Sequence, residues 1–306
     1  EDGNSHMKKS QKGMALVIVL LIVAIMTAMV VEFASNTYTA NASLYNWKSA
    51  QNLSFAARSG INLAMKVASD NYARYSYTYP GIMVVPVPNV LENFDGNVTV
   101  KVEDENAKFN LNSLVMPNGT LNSTAYESFK NLLVYLDIDT QIADKIADWI
   151  NRNRKTGPGI LGVGVSAKNA YMISVDELWL ITDSKTYEKL VPLVTVCGIG
   201  TVYSNIININ TASVPVLMTL DASMTSMLAE NIVNYRSVEP FQNTSDIVKV
   251  AGFQGQLGQA LMGKIVVKAS NFHITSEASQ DRLKRIIECV VENSGGGFTV
   301  RYWQET

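Results

Sequence analysis

The chain has 306 residues, 47% apolar and 17% charged, and its 25 basic and 27 acidic side chains leave a net charge of −2. That composition excludes a disordered chain, a collagen-like repeat and a disulfide-rich scaffold, and it lacks the basic excess on which strong nucleic-acid binding depends. A mean hydropathy of +0.07 excludes a polytopic membrane protein and points to one local apolar segment.

That segment lies at the amino terminus. Residues 1–6 read as the remnant of an expression tag, with the native start at Met7. Lys8, Lys9, Lys12 and Gly13 lead into an uncharged run of 18 residues, 14–31, broken only by Thr27. As a helix the run reaches about 27 Å, close to the thickness of a bilayer core. A Thr hydroxyl in such a helix bonds back to a carbonyl of its own chain. The lysines before the run and Glu32 after it predict a cytoplasmic amino terminus and a remainder outside the cytoplasm. Three readings of the segment stand side by side. A cleaved secretory signal would use small residues beyond the run, such as Ala34-Ser35. An uncleaved signal anchor would keep the whole segment. Lys12-Gly13 followed directly by Met14 and an unbroken apolar helix resembles a type IV prepilin signal, which is cut between Gly13 and Met14. Most pilins carry glutamate at the fifth mature position, where this chain has Ile18. A carboxylate in lipid is costly without a partner. A subunit with no neighbour above it in a filament has none to satisfy, so Ile18 fits a tip position.

Helical periodicity continues past the run. Leu44, Trp47, Ala50, Leu53, Ala57, Ile61, Ala64 and Ala68 recur at spacings of three and four, so one helix is expected over 14–75. The prolines of 80–88 mark a connector. Val98, Val100 and Val102 alternate with polar residues as a half-buried strand, and Phe109-Asn110-Leu111-Asn112 is expected to extend it or pair with it. Helical signals then dominate 113–264, with candidates at 125–136, 140–152, 174–180 (Ser174 and Glu177 in a capping-box spacing), 214–220, 224–236 and 245–250. Alternation returns at 272–277, 284–292 and 298–303, the last after a Gly-rich turn, as an antiparallel meander. The fold class is therefore α+β: a long amino-terminal helix packed on an antiparallel sheet, with a large all-helical domain inserted into the sheet. The expected divisions are a leader at 7–13, the transmembrane and pilin-type helix at 14–79, and a connector with the first strands at 80–112. The helical insertion follows at 113–264 and the closing strands at 265–306.

Few motifs offer chemistry. Beyond the tag the only histidine is His273, in an expected strand, and no nucleophile elbow or zinc motif occurs. Gly258 to Lys264 mimics a P-loop but is followed by Ile265, where a hydroxyl is needed for Mg²⁺. The tract 208–212 with 229–236 is similar to the helix-hairpin-helix domains of competence proteins, which suggests a DNA-uptake or type IV pilus component as the alternative function. The phosphate-binding glycines of those hairpins are missing at 220–224, and Asp221 there would repel phosphate. Asp148, Asn151 and Asn153, with Asp176 and Glu177, are candidate calcium ligands by their oxygen chemistry, against an ordinary solvated helix face. Cys197 and Cys289 either pair as a disulfide across a long loop or stay as two buried thiols.

Taken in order, Lys12-Gly13-Met14 with Ile18, 102–106 leading to Asn110-Leu111-Asn112, Asp148-Trp149-Ile150, 208–212 and the Gly-rich end before Trp303 resemble the K-type minor pseudopilins of bacterial type II secretion systems. The resemblance implies a non-enzymatic inner-membrane protein, single-pass, with its globular part in the periplasm. It also implies cleavage by prepilin peptidase after Gly13 and N-methylation of Met14. The expected partners are the I- and J-type minor pseudopilins, the peptidase and inner-membrane lipid, with no nucleic acid; together the pseudopilins would initiate or cap the pseudopilus during export across the outer membrane. Calcium is associated with the family, but Asn151 and Asn153 stand where carboxylates are common, and neutral ligands weaken such a site.

Overall fold

A computed structural model describes residues 3–79, 83–86, 94–151, 167–295 and 297–306. The chain divides into two units, Glu1–Phe55 and Ala56–Thr306. Helix α1 (Gly3–Arg74) forms the described part of the first unit, and its last turns belong to the second. Across 14–31 the large apolar side chains are 49–66% exposed, and Thr27 Oγ1 donates to the Val23 carbonyl at 2.8 Å. Among the described residues this is the one helix long and apolar enough to cross a membrane. The apolar stripe divides in two. Ala57, Ile61, Ala64 and Ala68 are buried, whereas Leu44 and Trp47 are each 64% exposed.

In the second unit a five-stranded antiparallel sheet holds β1 (Met83–Pro86), β2 (Asn97–Asp104), β7 (Asn271–Gln280), β8 (Leu283–Asn293) and β9 (Phe298–Glu305) in that spatial order. Period-two alternation selects its inner face: Val100 and Val102 on β2, Phe272, Ile274, Ser276 and Ala278 on β7, and Ile287, Cys289 and Val291 on β8 are buried. Two residues, Asp281 and Arg282, turn β7 into β8, with Asp281 at φ 54°, a left-handed conformation that Asp tolerates better than most residues. The last turns of α1 lie on the inner face. A Cβ on Gly60 would fall 2.8 Å from Val100 Cγ2 and closer still to the buried Ser276 hydroxyl, so glycine lets helix and sheet approach.

Between β2 and β7, neighbours in the sheet, the chain leaves and returns through a helical block. Its first half holds β3 (Phe109–Asn110), α2 (Ser123–Tyr135), α3 (Gln141–Ile150), the 3-10 turn Val175–Leu180, α4 (Ser184–Leu190) and β4 (Val194–Thr195). Asn122 caps α2 by accepting from Ala125 N–H, and Ala125, Phe129, Leu132 and Leu133 form its buried stripe. The second half holds β5 (Ile207–Asn208), α5 (Val214–Leu217), α6 (Ser226–Val238), the 3-10 turn Thr244–Lys249, α7 (Gln256–Leu261) and β6 (Ile265–Val266). Each half has its own core, around Phe109, Phe129 and Ile146 in one and Ile207, Ile232 and Phe253 in the other.

Two expectations are corrected here. Phe109-Asn110 does not extend the main sheet; it pairs in parallel with Val194-Thr195, inside the helical block. Ile265-Val266 likewise pairs with Ile207-Asn208, so the main sheet resumes only at Asn271. The P-loop mimic also has a packing explanation. Gly258 lies within α7 because any Cβ there would run into the Phe253 carbonyl, and Lys264 donates to Leu220 O and Asp221. The connector residues 80–82 and 87–93, and the loop 152–166, lie outside the described residues.

Replacing Gly60 with valine should therefore cost about 1–3 kcal/mol by overpacking the helix–sheet crossing. Chemical denaturation would measure it; a Gly60→Val protein as stable as the parent would contradict the close approach.

Candidate functional site: the junction, the clasps and the amino-terminal segment

Three consecutive side chains join the sheet to both halves of the block. Asp104 ends β2, and Glu105 and Asn106 begin the 3-10 turn that follows. Asn106 Oδ1 accepts from Ser270 N–H at 2.8 Å and Asn271 N–H at 3.0 Å, fixing the entry of β7. Glu105 accepts from Thr195 Oγ1 at the end of β4 and from Lys108 Nζ at 2.5 Å. Asp104 Oδ2 accepts from Asn208 Nδ2 at 2.7 Å and Thr211 Oγ1 at 2.5 Å, while its Oδ1 takes Asn106 N–H at 2.7 Å. All three side chains are buried. Burial lifts the Asp104 carboxyl to about 6 against the pull of its donors. Burial would also raise Glu105, but Lys108, His273 and Thr195 outweigh it and hold that carboxyl below its usual range. His273 thus serves as a strand residue facing Glu105 and Glu288, 3.8 Å from each.

The block itself is closed twice by the same device. Phe109-Asn110-Leu111-Asn112-Ser113 and Ile207-Asn208-Ile209-Asn210-Thr211 share an alternating apolar–Asn pattern ending in a hydroxyl. In each, the first Asn accepts from the backbone N–H of the second, at 3.0 Å and 3.1 Å. The second Asn then clasps two distant strands of chain. Asn112 donates to Met172 O and Val196 O, both at 2.9 Å, and accepts from Met172 N–H at 2.8 Å. Asn210 donates to Phe241 O at 2.8 Å and Val267 O at 3.2 Å, and accepts from Phe241 N–H at 2.8 Å. Both amides are fully buried, with donors and acceptor all satisfied. Both tracts stand out in the sequence, where they carry part of the family resemblance; their shared alternation is the signal for a common role, and the clasp itself is seen only in the fold.

The other expected sites are dispersed. Gly13 and Met14 lie within α1, and Met14 and Ile18 are exposed. Of the candidate calcium ligands, Asn153 is outside the described residues, and Asp148 and Asn151 lie at the carboxyl end of α3. Glu177 accepts from Lys168 Nζ at 2.6 Å, Ile173 N–H at 2.8 Å and Trp149 Nε1 at 2.8 Å. Asp176 accepts from Tyr187 OH at 2.6 Å, Ser174 Oγ at 3.0 Å and Tyr302 OH at 3.3 Å. These two carboxylates are thus committed to N–H and O–H donors, one of them already cationic, and they do not fit a calcium ligand set. Among the described residues no group of three or more acidic, His or Cys side chains could hold a metal.

The disulfide alternative is also set aside. Cys197 packs at the edge of the first helical core and Cys289 sits in the middle of β8, and both are free thiols, pushed up to about 12 by burial. At the hairpin compared with DNA-binding modules, Asp221 is held by Ser223 and by Lys264 at 3.0 Å, which lowers its carboxyl to about 2 and commits it to an ion pair within the fold.

The two halves coincide with two matches to known families. Residues 107–198 match one family model, and 207–268 a second, both described as type II secretion system (T2SS), protein K. A type II secretion system protein K from Pseudomonas aeruginosa is 26% identical, the match covering 95% of this chain and 91% of that protein. One from Pectobacterium carotovorum subsp. carotovorum is 26% identical over 78% of this chain and 81% of its own length. The fold is similar to a chain in the crystal structure of the GspK-GspI-GspJ complex from the enterotoxigenic Escherichia coli type 2 secretion system. That likeness has a TM-score of 0.68 and 21% identity, and covers 85% of this chain and 98% of that one.

Removing one clasp tests its weight. Asn210→Leu removes the partner of the Phe241 N–H and of the Phe241 carbonyl, while Val267 O keeps the Thr78 N–H, and should cost about 1–3 kcal/mol. The Phe241 amide should also lose protection in hydrogen exchange; unchanged protection and stability would contradict the clasp.

Proposed function

Because this chain belongs to the protein K family of the type II secretion system, we propose that it is a non-enzymatic minor pseudopilin that starts or caps the pseudopilus during protein export across the outer membrane. The observation that carries this reading is the amino-terminal segment. A lysine-flanked Gly13 precedes an apolar run of 18 residues with no acid at position 18, and the run continues without a break into the helix that packs on the sheet. Residues 14–31 anchor the subunit in the inner membrane, amino terminus in the cytoplasm, with the sheet and helical block in the periplasm. Prepilin peptidase removes the leader after Gly13, and Met14 becomes the N-methylated first residue. Ile18 then makes no demand on a neighbour above, as suits a terminal subunit.

Assembly follows from the surface of α1. Leu44, Tyr45 and Trp47 expose apolar area beyond the membrane run, and neighbouring pseudopilin helices would cover it. The relative in the solved complex is found with GspI and GspJ, and we assign the I- and J-type minor pseudopilins as partners of this chain on that likeness.

Co-expression with an active prepilin peptidase, followed by intact mass and amino-terminal sequencing, tests the reading. The expected product begins at methylated Met14, and Gly13→Leu should retain the leader. An uncut chain beside a second prepilin that is cut would overturn it, as would cleavage beyond Val31.

A further inference from the structure

We propose that Lys168 serves this protein as a built-in cation, so that the corner between α3 and the 3-10 turn Val175–Leu180 is held by an ammonium and not by a bound divalent metal. The inference concerns the stability of the helical block and does not depend on where the subunit sits in a filament.

The geometry is that of a carboxylate already enclosed. Glu177 Oε1 accepts from Lys168 Nζ at 2.6 Å and from Ile173 N–H at 2.8 Å; Oε2 accepts from Trp149 Nε1 at 2.8 Å. The Glu177 side chain is 13% exposed and that of Lys168 26%, so the pair is shielded from solvent far more than a surface bridge. Trp149, 7% exposed, belongs to the last turn of α3, so one carboxylate links that helix end, residue 168 and the start of the 3-10 turn. Burial would raise Glu177, yet the Lys168, Ile173 and Trp149 hydrogen bonds overcome it and hold the carboxyl below its usual range.

Calcium needs six to eight oxygen ligands at about 2.3–2.6 Å. Here three nitrogens point their hydrogens at Glu177, and nitrogen donors of this kind repel a cation. Asp176, next in the chain, turns to the hydroxyls of Tyr187, Ser174 and Tyr302 instead. A metal could take Glu177 only by expelling an ammonium that already neutralises it. Lys168 therefore supplies the positive charge and ties together the parts of chain that a bound ion would otherwise tie.

The test is thermal unfolding of the full chain in detergent micelles, followed by tryptophan fluorescence, in millimolar calcium chloride and in EGTA. The two midpoints should agree within about 1 °C, and Lys168→Met should lower both by about 2–4 °C. Lys168→Arg should restore most of that loss, since it keeps a cation beside Glu177. Calorimetric titration with calcium chloride should give the same heats for the unmodified chain and for Glu177→Gln, which decides the matter even if Lys168→Met does not fold. Calcium binding that Glu177→Gln abolishes, or a Lys168→Met protein as stable as the parent, would each overturn the proposal.

Discussion

Two strands that neighbour each other in the sheet, β2 and β7, are separated in sequence by the whole helical block, and everything else in the globular unit depends on closing that gap. The chain closes it at Asp104-Glu105-Asn106, where adjacent side chains reach the second half of the block, the first half and the returning strand. Burying two carboxylates in one turn is costly unless each is fully partnered. Here the partners are the pieces that must be brought together. The polar turn therefore specifies the junction, each of its three side chains reaching a different piece of the chain.

The same logic is repeated inside the block. Asn112 and Asn210 each fasten a short parallel strand pair and a distant loop, and each does so from the second Asn of an apolar–Asn–apolar–Asn tract. Two separate apolar cores follow, one for each half. Strand pairs two residues long carry little cohesion by themselves, so the clasps and the cores hold the halves closed. The two family matches fall on these halves.

Much of this architecture was legible in the sequence, because strong periodicity survives without tertiary context. The carboxyl-terminal half of the stripe, Ala57–Ile61–Ala64–Ala68, and the alternation of β7 and β8 each encode a buried face, whereas Leu44 and Trp47 of the same stripe are exposed and no residue of β9 is buried. What escaped was short or non-local. Phe109-Asn110 alternates like its neighbour β2, yet pairs with a segment more than eighty residues away, which no local pattern records. Helices α4 and α7 are too brief to build a periodic signal. The acidic residues grouped as calcium ligands had the right oxygen chemistry, but their donors, Lys168 Nζ and Trp149 Nε1 among them, were invisible from spacing alone. Gly258 was placed by the Phe253 carbonyl and not by a phosphate.

The chain thus combines a membrane-length helix with a pilin-type sheet into which a clasped helical block is inserted. On the filament-end role proposed above, the exposed face of the helix would be offered to neighbours and Ile18 would ask nothing of one above. The most direct measurement is the composition of the complex formed when the chain is mixed with the proposed I- and J-type partners, by light scattering coupled to size exclusion. The account predicts a complex that holds all three chains and does not grow further. Growth of this chain alone into filaments, or failure to join the other two, would contradict it.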